Sequence, residues 1–185
     1  VLKVHKDHTF TGALVASMST PWGHVSIQRG GYHLVWARDL VESAGAFFAL
    51  SLPGEAREVL RYLIATQQPD GHWHQNQWLG GKPYWTGIQL DEVGFPVLLA
   101  GKLAECGALD GTPVQGMVRA ALRFLIQEGP VSQQDRWEED HGLNAFTLAV
   151  IIAALIEGSA FLDEATAHFV LEMADEWNAC IESWL

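Results

Sequence analysis

The chain has 185 residues, 49% of them hydrophobic and 18% charged, which excludes a disordered polypeptide and suffices for one domain with a real core. It carries 11 Lys and Arg against 22 Asp and Glu, and no basic cluster interrupts that acidic balance, so the charge argues against a nucleic-acid or anionic-membrane partner. No apolar run reaches the roughly 18–20 residues of a bilayer span, and the N-terminus lacks the order of a signal peptide, so the chain reads as soluble with its compartment open. Cys106 and Cys180 both fall in apolar helical patterns and are expected as buried thiols rather than a disulfide.

In chain order, residues 8–18 read as a short helix with Phe10, Ala13, Leu14 and Ser17 on one side, stopped by Pro21. An irregular passage through Gly23, Gly30 and Gly31 then leads to Tyr32, Trp36 and Arg38. Asp39 stands where it would cap a helix over 40–50. After Pro53-Gly54, Val59, Leu60, Leu63 and Ile64 recur at helical spacing and predict a helix over 55–68. Residues 69–87 are non-helical and rich in Trp and His, too aromatic for a disordered loop. Helices follow over 89–104, with Pro96 inside, and over 113–127. Gly129-Pro130 opens an acidic loop over 135–142, Asn144 caps a very apolar helix over 145–156, and residues 163–184 form the last helix.

Every element is thus a helix, about seven in all, in a single domain over 1–185. The long connections, at 20–38, 69–87 and 129–143, carry the Trp and charged residues, whereas those at 51–54, 105–112 and 157–162 carry little. A toroid of helical hairpins gives this asymmetry, with the functional loops at one end and plain turns at the other.

Six of the eight Trp lie in connections: Trp22, Trp36, Trp73, Trp78, Trp85 and Trp137. Flat indoles beside Asp, Glu, Gln and His point to a platform for a ligand, and a sugar fits best, because its C–H faces stack while its polar edges need bidentate partners. Arg38-Asp39 can be a helix cap with its neighbouring cation, or a fork for two vicinal hydroxyls with Trp36 as the stacking face. His72-x-His74 has no third ligand at metal spacing, so no metal or other cofactor is expected. Acids in the first turn after Trp85 complement the helix dipole, which accounts for Glu92 and leaves Trp85, Gln89 and Asp91 as candidates for ligand contact. Trp137-Glu138-Glu139 is either a solvated loop or a site where a neighbouring carboxylate and an indole wall raise the pKa of one acid so that it can give a proton.

Three segments, YHLVWARD at 32–39, WTGIQLD at 85–91 and RWEEDHG at 136–142, follow one another in the order found in the glucoamylase and glucodextranase family of inverting glycoside hydrolases, and SMSTPWG at 17–23 is similar to the start of the catalytic domain in bacterial members. The resemblance implies an all-α (α/α)6 barrel releasing glucose from the non-reducing ends of α-glucans. It implies Glu138 as general acid, with Trp137 and Glu139 beside it, Arg38 and Asp39 clamping the terminal sugar, and Trp36 and Trp85 as pocket walls. About seven of twelve helices are present, and the general base falls on a later segment. The chain then reads as the N-terminal half of a barrel, inactive alone and completed by a missing half or by dimerisation. A terpene-cyclase-like toroid and a non-catalytic carbohydrate-binding helical protein are the alternatives.

Overall fold

A computed structural model describes residues 1–18, 32–137 and 139–184. Within them lie α1 (Ala37–Ala49), α2 (Pro53–Thr66), α3 (Leu90–Glu105), α4 (Gln115–Glu128), α5 (Ala145–Ser159) and α6 (Glu164–Trp184). A 3-10 turn at Leu2–His5 precedes them, and a small antiparallel hairpin, β1 (Asn76–Gln77) with β2 (Pro83–Trp85), interrupts the loop before α3. None of these helices is long and apolar enough to cross a membrane.

Helix ends follow local chemistry where the chain supplies it. Pro53 occupies the first turn of α2, where its missing N–H costs nothing. Asn144 caps α5 by accepting from Phe146 N and Thr147 N at 3.0 and 3.2 Å. Two expectations fail for the same kind of reason. Residues 8–18 are not helical, because the chain folds back at Gly12 (φ 89°) and pairs across itself, Asp7 N donating to Ala13 O at 2.9 Å and Val15 N to His5 O at 3.1 Å. The described α-helices therefore number six rather than about seven. Asp39 is not a cap either: α1 begins at Ala37, so Asp39 lies in its first turn. Neither cysteine is buried as expected; Cys106 caps the exposed end of α3 and Cys180 is half-buried on α6.

Packing sorts the helices into two rings. Odd helices touch one another in succession, α1 with α3 and α3 with α5, whereas each even helix packs on its odd neighbours. Burial follows this order: eleven of the sixteen residues of α3 are buried, against three of the twenty-one of α6. Val93, Val97, Ala100 and Leu103 of α3 are fully buried, the larger of them stabilising by about 1.5–3 kcal/mol each relative to exposure. The approach of α3 to α5 requires a glycine, since a Cβ on Gly94 would lie 2.9 Å from Val150 Cγ1. This is the layout of consecutive hairpins in a helical toroid.

The long connections all enter the N-terminal ends of the inner helices α1, α3 and α5. At the opposite end the short turns are tied in series by Arg57 with Asp110 and Arg119 with Asp163, both at 3.2 Å. The start of α1 has no cap from its own N-cap residue, Trp36. Glu92 of α3 supplies it, its Oε2 accepting from Ala37 N at 2.8 Å, with the residue 0% exposed. Burial pushes the Glu92 carboxyl well above its usual range, against the pull of Arg38.

A carboxyl whose folded pKa is raised contributes most below its unfolded pKa and loses that contribution as pH rises through the folded one. Glu92→Gln keeps an acceptor for Ala37 N–H and removes the ionisable group. Urea denaturation between about pH 4 and pH 8 should show the unsubstituted protein losing stability relative to Glu92→Gln as pH rises. A difference that does not vary with pH would contradict the assignment.

Candidate active site

Arg38, in the first turn of α1 and 6% exposed, sits where the first turns of the inner helices meet. Its Nη1 donates to Asp91 Oδ2 at 2.6 Å and to Gln89 Oε1 at 2.9 Å; its Nη2 lies 3.4 Å from Glu92 Oε1 and donates to Arg136 O at 3.5 Å. Burial works against the guanidinium charge, but Glu92 and Asp91 outweigh it and hold the pKa above the ordinary arginine value. Gln89 and Asp91 are both 0% exposed. They therefore lie beneath Arg38 and orient it. Asp91 Oδ1, Gln89 Nε2 and Glu92 Oε1 find no hydrogen-bond partner among the described residues, so unspent polar capacity is concentrated here.

Asp39 is half-buried and feels both Arg38 and Arg136; burial raises its pKa despite those cations. It lines a cleft of about 260 Å³ with His5, Ala16 and Ser43. Trp36 is 5% exposed, stacked on Tyr32 at 5.8 Å and set edge-on to the half-buried Trp85 at 6.3 Å. Trp73 serves packing instead: it is 1% exposed and donates from its indole to Leu63 O at 3.0 Å. Trp22, with most of the 17–23 segment, lies outside the described residues.

The acidic loop is closed at its base by reciprocal backbone bonds between Ser132 and Gly142, at 3.0 and 3.1 Å. Within it Asp135 Oδ1 accepts from Trp137 N at 2.9 Å and from Glu139 N at 3.1 Å, gripping the backbone on both sides of position 138. Ser132 Oγ donates to Gln134 O at 2.6 Å and accepts from Leu90 N at 3.3 Å, which fastens the loop to the first turn of α3. The Arg136 guanidinium lies over Phe146 at 4.6 Å and over Trp137 at 5.2 Å. Trp137 is 71% exposed and Glu139 is also exposed. Glu138 itself lies outside the described residues.

The described parts of the three long loops thus meet at one end, joined by Arg38. Of the sequence candidates, Trp36, Arg38, Gln89 and Asp91 form one buried group with Trp85 at its edge, while Trp137 and Glu139 stand on the loop whose backbone Arg38 touches. Glu92, Ser132 and Arg136 complete the group and were missed, because an acid in a helix first turn, a loop Ser and a loop Arg carry no distinguishing local pattern. Asp135 had a signal, an Asp two residues before a backbone N–H it could accept.

Comparison with known proteins agrees with this arrangement. The family model for glycosyl hydrolases family 15 matches residues 1–70 and 66–185. The chain is 38% identical to a glucoamylase of Clostridium sp. across 99% of its own length and 26% of that protein's. It is 27% identical to an uncharacterized glycosyl hydrolase of Methanocaldococcus jannaschii over 67% of this chain and 21% of that one. The chain spans about a quarter of the length of these curated relatives. Among solved structures, a bacterial glucoamylase complexed with acarbose superimposes with a TM-score of 0.88 at 38% identity, covering 98% of this chain and 27% of that one. A glucoamylase from Saccharomycopsis fibuligera, at 16% identity and a TM-score of 0.70, covers 92% of this chain and 42% of that one, and carries the fold alone. The fold is accordingly that of the (α/α)6 barrel, and the chain belongs to glycosyl hydrolases family 15.

Proposed function

We propose that the chain is the N-terminal part of the catalytic domain of an exo-acting α-glucan hydrolase, which releases glucose from non-reducing ends with inversion and uses Glu138 as general acid. The observation that carries this reading is the buried Arg38 on its Gln89 and Asp91 support, beside Trp36 and Trp85 and touching the Arg136 carbonyl of the loop that carries Glu138. With Nη1 held by Asp91 and Gln89, the guanidinium meets a sugar hydroxyl through its Nη2 edge, Asp39 accepts from a hydroxyl, and the indoles meet the apolar faces of the ring. Trp137, largely exposed, offers a further apolar wall. The glucoamylase with acarbose bound is consistent with an oligosaccharide ligand here. Family membership favours hydrolysis over a terpene-cyclase-like toroid, and an acid loop pinned by Asp135 favours it over passive sugar binding.

In this scheme Glu138 protonates the glycosidic oxygen as the bond to the anomeric carbon breaks, and a second carboxylate takes a proton from the water attacking the opposite face. Inverting enzymes hold the two carboxyls roughly 6.5–9.5 Å apart, across the sugar. The base is assigned to the part of the relatives that this chain does not span, and the remaining barrel helices come from that part or from a second copy.

In the full chain, Glu138→Gln should lower kcat on maltose by about 10²–10⁴-fold while leaving oligosaccharide affinity within a few-fold, read by steady-state kinetics and calorimetry. Wild-type turnover in that variant would reassign the acid. The 185-residue chain alone should release no glucose from maltoheptaose, and measurable release would overturn the assignment of the base to another segment.

A further inference from the structure

Apart from the residues assigned to the sugar, the loop after α2 sets two histidines side by side. We infer that His72 and His74 form a two-imidazole chelate for a divalent cation of the zinc, copper and nickel class, with Asp70 orienting the first ligand. The pattern His72-x-His74 has no third ligand in sequence, and among the described residues no group of three or more His, Cys, Asp or Glu side chains gathers at metal spacing. What the fold adds is convergence of the two rings. Trp73 between them turns into the core, 1% exposed, and donates from its indole to Leu63 O at 3.0 Å, so its two neighbours leave the chain on the other side. His72 Nε2 then lies 3.4 Å from His74 Nδ1, with the rings perpendicular at 89° and their centroids 4.8 Å apart. A tetrahedral ion with metal–nitrogen bonds of about 2.0–2.1 Å holds two nitrogens roughly 3.3–3.4 Å apart, so this spacing is the bite of one ion.

The far side of His72 carries the support that such ligands use. Asp70 Oδ1 lies 2.7 Å from His72 Nδ1, which keeps the ring proton there and leaves Nε2 bare toward His74. Phe124 of α4 stacks on the same ring at 5.1 Å and 30°. The turn that bears Asp70 is itself clamped to α4: Arg123 Nη2 donates to Asp70 O at 3.1 Å, and Gln67 Nε2 donates to Gly71 O at 2.9 Å and to Met117 O at 3.0 Å. Gly71, at φ 114°, lets the turn come so close that a Cβ would fall 2.1 Å from Ala120 O. A ligand ring already oriented loses little entropy when an ion binds. His74 is half-buried, so the pair borders solvent, where water completes the coordination. The net charge of −11 favours a cation, and nitrogen donors select zinc, copper or nickel over magnesium and calcium.

The bland alternative is a hydrogen bond between the two rings, for which 3.4 Å is long. Calorimetric titration of the full chain, free of any histidine tag and treated with chelator, separates the two. At pH 7.5 the unsubstituted chain should take up ZnCl2 and show no heat with MgCl2. His72→Gln and His74→Gln keep a polar side chain and remove the ring nitrogen, and each should lose one zinc equivalent per chain. Asp70→Asn should keep that equivalent but weaken it about 10–100-fold. Copper in place of zinc should show two coupled imidazole nitrogens by electron paramagnetic resonance in the unsubstituted chain. Thermal denaturation without metal reports whether each variant folds, and half-buried His74 decides alone if the His72 variant does not. No zinc uptake by the unsubstituted chain even in molar excess of ion, or zinc held with the same stoichiometry and affinity by a folded His74→Gln, overturns the inference.

Discussion

A guanidinium cannot shed its proton, so burying Arg38 obliges the fold to surround it with acceptors. Those acceptors are Asp91 in the first turn of α3, Gln89 just before it and the carbonyl of Arg136 on the acid loop, with Glu92 Oε1 3.4 Å from the guanidinium. Removing one partner of a buried ion pair costs about 3–5 kcal/mol, a large share of the stability of a domain. The N-terminal ends of α1 and α3 are therefore locked together, and the third long loop is drawn to the same point. Two helix N-termini and an arginine concentrate positive potential there, and Asp91 accepts directly from that arginine.

From that lock the remainder of the site follows. The chain before Arg38 must pass close to α3, and the Val35 bridge to Gln77 carries the hairpin in with it. Trp36 and Trp85 meet because they flank the two locked turns. The acid loop is rigid for a separate reason, the Asp135 carboxylate that holds the backbone on both sides of position 138 and the Ser132 hydroxyl that ties the loop to Leu90 N. Acids that looked crowded in the sequence thus divide their work: Asp135 holds backbone, and Glu139 remains in solvent.

The inner and outer helices were legible because their apolar residues recur at three and four positions, and their ends because Pro53, Asn144 and the glycine-proline breaks act locally. The toroid was legible from the alternation of loop lengths. What escaped was set by contacts distant in sequence. Asp39 looks like a cap only while Glu92, fifty-five positions from Ala37, is out of view. The run at 8–18 has a helical pattern, but the pairing of residues 5–7 with residues 13–15 overrides it. Cys106 sits in an apolar pattern but falls at the C-cap, where the helix emerges into solvent. The hairpin strands have two and three residues, too few for any alternation to register, and Ser132 acts through a backbone N–H forty-two positions away. Gln89 and Asp91 were found by their place after Trp85, yet their depth beneath Arg38 is a property of the fold.

The proposed role of Arg38, held by α3, is to seat a terminal sugar against Trp36 and Trp85 and beneath the acid loop. A crystal structure of the full chain with a bound maltooligosaccharide tests it most directly. Hydroxyls of the non-reducing glucose are expected within hydrogen-bonding distance of the Arg38 guanidinium and the Asp39 carboxylate, with the first glycosidic oxygen facing Glu138. A sugar seated elsewhere, with Arg38 still covered by protein and no hydroxyl in reach, would contradict it.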